Sequence, residues 1–371
     1  MLRFLTAGES HGPALTAIVE GLPAGLPLTE EEVNQQLRRR QMGYGRSERQ
    51  QIEQDQVMFL GGVAGGTTTG GPLALHIQNR AAVQSQEAPP VTIPRPGHAD
   101  LAGALKYGFD DLRLVWERAS ARETAARVAV GAIARRLLAE FGIRLGSYVV
   151  GIGAVTATIP AWPEEELWDR AEASDVRCPD PVAAEAMRRH IEEVRHQGDS
   201  LGGVFVVSAI GVPAGLGSYT HWDRRMDARL AGAVMSIPAI KGVEIGPAFE
   251  NARCMGTQVH DEIWIENRRL VRPTNRAGGL EGGVTNGQPI IVRAAMKPIP
   301  TTARPLRSVD LTTREPATPP YQRADVCAVP AAAIVGEAMV AWVLADAFLE
   351  KMGGDSLSEI RAHWEAWQRD G

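Results

Sequence analysis

The hexapeptide Gly21-Leu22-Pro23-Ala24-Gly25-Leu26 returns as Gly211-Val212-Pro213-Ala214-Gly215-Leu216, and nothing else in the chain limits its fold as much. Each copy follows a strand-like run (Thr16 to Val19, Val204 to Ile210). Each also precedes a segment of helical periodicity with a threonine placed to cap it, Thr29 before 30–40 and Thr220 before 222–235. A second pair of helices supports the duplication. Ala126, Val130, Ile133, Leu137 and Phe141 fall at helical spacing, as do Val335, Ala338, Trp342, Ala345 and Leu349, and a glycine follows each run. Both runs carry small residues on several faces, which suits helices buried between other elements. The expectation is one domain over 1–371, with similar halves at roughly 1–195 and 196–352 and a tail over 353–371.

Composition removes several classes. At about 150 residues per domain, 371 residues would give two to three units. Apolar residues at 44% and charged residues at 22% exclude a disordered chain or a fibre. A net charge of -5, with 5% aromatics and no basic stripe carrying interleaved aromatics, argues against a nucleic-acid partner. The three cysteines, Cys178, Cys254 and Cys327, never form a C-x-x-C pair, which suits a reducing compartment and no thiolate metal site. The start, MLRFLTAGESHG, lacks a secretory pattern, and Glu337 and Asp346 interrupt the longest apolar stretch, 331–349. A cytoplasmic protein with no membrane partner is expected.

Chemistry concentrates in loops. Gly61 to Pro72 and Ala277 to Pro289 are rich enough in glycine to bring backbone amides against a ligand. The proline-rich stretch from Met296 to Asp325 reads as a long functional loop. Two histidines have unusual settings, His11 in Gly8-Glu9-Ser10-His11-Gly12 and His98 in Pro96-Gly97-His98-Ala99-Asp100. A ring between flexible, small neighbours suits a general acid or base, and equally a loop histidine bonded to local backbone. A metal held by both histidines and a carboxylate lacks any short ligand spacing. The run Arg38-Arg39-Arg40-Gln-Met-Gly-Tyr-Gly-Arg46-Ser-Glu-Arg49 starts as a helix end and continues into a loop, where its guanidinium forks suit phosphate and carboxylates. Ser120 and Glu123 have capping-box spacing, and Arg118 and Arg122 sit at the positive end of the helix that follows. A bound anion would relieve that conflict.

In order along the chain, GESHG, RRRQMGYGR, RPGHAD, RASARETAARVA, SIPAIKGVEIG, NRAGGLEGG and RADVCAVP resemble the chorismate synthase family, from Leu5 to about Leu349. The resemblance implies a lyase of the shikimate pathway. It would convert 5-enolpyruvylshikimate 3-phosphate into chorismate and phosphate by 1,4-anti elimination, using reduced FMN with no net redox change. It implies His11 as the acid serving the leaving phosphate, His98 as the group that stabilises the reduced flavin, and Asp325 as the residue that takes the ring proton. Substrate contacts fall to Ser10, Arg40, Arg46, Arg49 and Arg122, and an NADP contact also falls to Arg40 and Arg46. Flavin contacts fall to Arg118, Ala119, Ser120, Pro238, Ala239, Gly282, Lys297, Pro298, Ile299, Pro300, Thr301 and Arg323. Pro238 departs from the family pattern, which has a polar side chain there. The implied fold is α+β, a β-α-β sandwich with internal pseudo-two-fold duplication, assembled as a homotetramer. NADPH is a candidate flavin reductant and an NADPH-dependent flavin reductase the alternative activity. The absence of a dinucleotide fingerprint leans towards an external flavin reductase.

Overall fold

The structure, a computed structural model, describes residues 1–46, 53–80, 89–304, 306–320 and 324–370. Two antiparallel sheets account for its strands of five residues or more. In the first, β1 (Arg3–Ala7), β2 (Ala14–Glu20), β3 (Val57–Gly61) and β6 (Leu73–Gln78) lie in the order β1-β2-β6-β3. In the second, β7 (Arg144–Ile152), β9 (Gly203–Ile210), β10 (Ile240–Ile245) and β15 (Ile290–Met296) lie in the order β10-β15-β9-β7, with the short β8 (Val155–Thr156) added outside β7. Taken in chain order, the four main strands of each sheet are arranged alike.

The helices follow the same scheme. α1 (Glu30–Gln41) starts at a capping box between Thr29 and Glu32, as the sequence suggests. After α2 (Asp100–Tyr107) and α3 (Arg113–Ala119) comes α4 (Thr124–Ala139), which packs on β1, β2 and β6. Beyond α5 (Glu164–Glu172) and α6 (Pro181–His196), α7 (Met226–Met235) packs on β10 and β15, and α8 (Val329–Met352) packs on β7 and β9. α4 and α8 lie against each other at the centre. A Cβ on Gly131 would fall 2.3 Å from that of Ala338, so glycine is what allows the two backbones to approach. α8 is long and apolar enough to cross a membrane, but it is buried on all its faces in this core. α9 (Leu357–Asp370) gives the tail a packing role, with Leu357 and Ile360 buried and Trp364 against Phe141 and Phe348.

Two local expectations need correction. Thr220 caps no helix: a 3-10 turn occupies Trp222–Arg224, and α7 begins only at Met226. Ser120 caps a 3-10 turn at Ala121–Glu123, while the Glu123 carboxylate pairs with Arg127 rather than closing a capping box. The glycine-rich segments fold locally. Each forms a small hairpin, β4 (Val63–Ala64) with β5 (Thr67–Thr68) and β13 (Leu280–Glu281) with β14 (Val284–Thr285). Each hairpin clamps one copy of the repeated turn. Thr68 Oγ1 donates to Pro23 O (2.5 Å) and accepts from Leu26 N (3.0 Å), and Thr285 Oγ1 donates to Pro213 O (2.6 Å) and accepts from Leu216 N (2.8 Å).

The sheets differ on their outer faces. The second is covered by α5, which closes a small core with Tyr148, Val150 and Val206. The first leaves Leu5, Ile18, Met58 and Leu60 exposed.

Candidate active site

A cleft of about 910 Å³ opens beside the N-terminal end of α4. Part of its lining is polar. The 8–12 turn between β1 and β2 brings in Ser10 and His11, the end of α1 brings Arg40, the loop after it Arg46, and the approach to α4 brings Ser120 and Arg122. The segment before α2 adds Arg95 and His98, and the approach to α8 adds Asp325. Apolar lining comes from Ile237, Met296, Ile299, Ala328, Ala332 and Val335.

The arginines are held by buried acids. Arg40 is 5% exposed, with Nε donating to Thr124 Oγ1 (3.0 Å) and Nη1 3.4 Å from Asp55 Oδ2. Burial pulls its guanidinium down to about 10, against the opposing pull of Asp55. The other oxygen of Asp55 takes Arg122 Nη1 at 2.5 Å, and Arg122 Nε donates to Asn79 Oδ1 (2.9 Å). Carboxylates within the chain, Asp55 on Arg122 Nη1 and Glu53 Oε2 3.5 Å from Arg122 Nη2, therefore relieve the conflict of a cation at this helix start. Arg46 Nη1 lies 2.9 Å from Asp325 Oδ2.

Each histidine is gripped by a carboxylate. His11 Nδ1 is 2.9 Å from Glu117 Oε1, and His11 N donates to Oε2 at 2.6 Å. His98 Nδ1 meets Asp100 Oδ1, while Asp100 Oδ2 accepts from Arg95 Nε (2.8 Å). Burial would raise the Asp100 carboxyl, but His98 and Arg95 hold it at about 2. Burial, and then Lys241 nearby, lower the Lys297 ammonium, whose Nζ donates to Gly97 O (3.0 Å).

Of the residues singled out in the sequence, Ser10, His11, Arg40, Arg46, His98, Ala119, Ser120, Arg122, Pro238, Ala239, Lys297, Ile299, Pro300, Thr301 and Asp325 line this one cleft. Arg49 and Arg323 lie outside the described residues. Three do not line it. Arg118 turns back to Thr6 O (2.9 Å), Gly282 sits in the β13–β14 hairpin with its carbonyl on Arg225, and Pro298 is passed over between Lys297 and Ile299. Sequence reasoning missed Glu53, Asp55, Asn79 and Glu117, whose importance depends on partners far along the chain. Asp100 had a readable signal, an acid two residues after His98 in the same motif.

The cleft suits a planar apolar group beside a polyanion. Arg46 Nε and Trp116 Nε1 are buried donors on lining residues, with no hydrogen-bond partner among the described residues. Ligand acceptors would satisfy them, and the apolar lining can take the face of a ring system such as a flavin.

Acid and base side chains facing an arginine-lined cleft define an enzyme acting on a small anionic molecule. Residues 2–349 match the family model described as chorismate synthase. The chain is 56% identical to the chorismate synthase of Desulforamulus reducens, covering 100% of this chain and 99% of the relative, and 55% identical to that of Aquifex aeolicus, covering 98% and 96%. A solved structure titled "Crystal Structure of Chorismate Synthase" superposes with a TM-score of 0.82 at 48% identity, over 99% of this chain and 97% of the other. The chain belongs to the chorismate synthase family.

Proposed function

We propose that the protein is a lyase of the shikimate pathway, which eliminates phosphate from 5-enolpyruvylshikimate 3-phosphate to give chorismate. One observation carries this reading. Residues as far apart in sequence as His11, Arg40, His98, Arg122 and Asp325 line a single cleft together with apolar residues such as Ile237, Met296 and Val335.

Reduced FMN is the cofactor this cleft suits, and bound there it would supply electron density to the allylic system and recover it, with no net redox change. Ala119, Ser120, Ala239, Lys297 and Ile299 to Thr301 would hold it, and His98 would offer a ring N–H to its anionic form. Pro238 has no N–H to donate, so only its carbonyl can serve a polar contact. Arg40, Arg46 and Arg122, with Ser10 and Arg49, would desolvate and orient the phosphate and carboxylates of the substrate. His11 gives a proton to the departing phosphate. Asp325, ion-paired with Arg46, removes the ring proton.

The finer architecture belongs to the same proposal: one domain of two pseudo-two-fold halves, with helices layered between the sheets as a β-α-β sandwich. Homotetramer formation would cover the apolar outer face at Leu5, Ile18, Met58 and Leu60. The setting would be cytoplasmic, and the flavin would arrive reduced, by NADPH through a separate reductase. The test is anaerobic incubation with chemically reduced FMN and substrate, following chorismate absorbance and phosphate release. Absence of product from folded, flavin-binding protein would overturn the reading.

A further inference from the structure

We propose that Glu117 is a positioning residue for His11, holding the ring by Nδ1 and its backbone by the main-chain N–H so that Nε2 is the nitrogen that exchanges a proton in the cleft. The inference rests on the reading of His11 as the acid that serves the departing phosphate.

The geometry is specific. Both oxygens of one carboxylate reach one residue, Oε1 at Nδ1 (2.9 Å) and Oε2 at the backbone N–H (2.6 Å). The carbonyl of Glu117 also accepts from Ser10 N (3.0 Å), so the end of α3 holds the Ser10–His11 segment at three points. From the other side Asn79, 3% exposed, closes the turn: its Nδ2 donates to Glu9 O (3.0 Å) and Gly12 O (2.8 Å). The glycine-flanked turn, which alone could swing the ring freely, is thereby fixed.

A carboxylate only accepts, so Nδ1 must carry a hydrogen, and the hydrogen bond on one ring nitrogen decides the state of the other. As the carbon–oxygen bond breaks, its electron pair leaves with the phosphate, and the Nε2 proton moves to a phosphate oxygen. The ring is left neutral with its hydrogen on Nδ1, where Glu117 already accepts it. Solvent then restores the Nε2 proton. The amide of Glu117→Gln can donate instead, which turns Nδ1 into an acceptor and moves the single hydrogen of the neutral ring to Nε2.

The test uses full-length protein labelled with ¹⁵N-histidine and free of flavin, with the His11 signal assigned by its loss in His11→Gln. At about pH 9, where an imidazole is neutral, wild type should show the hydrogen on Nδ1 and Glu117→Gln should show it on Nε2. The other histidine signals report whether the variant keeps its fold. With reduced FMN and substrate, Glu117→Gln should lower kcat about 100-fold with KM held within about threefold. The double variant should be no slower than His11→Gln alone. An unchanged tautomer, or a double variant whose losses multiply, would overturn the proposal. If wild type itself makes no chorismate the functional reading fails and the acid role with it, whereas the tautomer comparison still decides whether Glu117 sets the ring.

Discussion

The corner that precedes β3 in the first half and the corner that precedes β10 in the second occupy corresponding places, yet they do different work. Two residues before β3 stands Asp55, fully buried between Arg40 and Arg122. Two residues before β10 stands Pro238, followed by Ala239, and both line the cleft. The helix starts differ in the same way. Arg122 precedes α4, while α8 turns Ala328, Ala331, Ala332 and Val335 towards the cleft. Most of the charged lining comes from residues 10–122 and most of the apolar lining from 237–335, while the turn, hairpin and strand order are alike in the two sheets.

The sharpest way to break this contrast is to remove an acid from the first half. His11→Ala should lower turnover with reduced FMN and substrate by roughly 10²- to 10⁴-fold. Undiminished turnover in a variant lacking both His11 and His98 would show that the charged half does not carry the chemistry.

The next largest effect is expected at Glu337, where α8 meets α1, α4 and β7. It projects from α8 into a cluster with Arg39 of α1 (2.7 Å), Arg135 of α4 (2.8 Å) and Ser147 of β7 (2.6 Å). Burial alone would raise its carboxyl, but Arg39 and then Arg135 outweigh it and hold the group at about 2 against an ordinary value of 4.5. A depressed carboxyl contributes stability that is present above its unfolded value. Stability should therefore fall as the pH drops from about 5 towards 2, and Glu337→Gln should flatten that limb in urea titrations. Glu337→Ala, which leaves buried guanidinium groups without their counter-ion, should cost about 3–5 kcal/mol at neutral pH.

The matched turns offer a smaller and more symmetrical test. Thr68→Val and Thr285→Val each remove a hydroxyl that satisfies one buried carbonyl and one buried N–H, which should cost about 2 kcal/mol in either half. Equal losses support a common architecture. A much larger loss at Thr68, next to the half that carries the charges, would show that the resemblance of the two turns is only local.

These residues also mark how much of the molecule could be read from sequence. The repeated turn, the Thr29 cap and the two small-residue helices were legible because their signals lie within a few positions of each other. His11, His98 and most of the arginines were legible from motif resemblance. The clamping threonines were not, since Thr68 meets its partners over 40 positions away and glycine-rich hairpins look the same whether they hold a ligand or a turn. Asp55, Asn79 and Glu117 were invisible for the same reason: a lone acid or amide in a loop acquires meaning only when the fold brings it to an arginine or a histidine. Glu337 was visible only as a break in an apolar run.

The smallest predicted effect concerns the second-half corner itself. Ala239 has a φ of +69°, a left-handed conformation that costs a non-glycine residue about 1–2 kcal/mol. Its carbonyl accepts from Lys297 N (2.9 Å), which ties the corner to the segment carrying Lys297 and Ile299. Glycine would remove the clash but would gain freedom in the unfolded chain, so Ala239→Gly should stabilise the protein by no more than about 1 kcal/mol. If the strained corner also keeps the apolar lining rigid for the ring that docks there, the variant should bind reduced FMN more weakly while melting slightly higher, and calorimetry together with flavin titration separates the two. A variant that is more stable and binds flavin equally well would show that the strain is incidental and that Pro238 alone sets the corner.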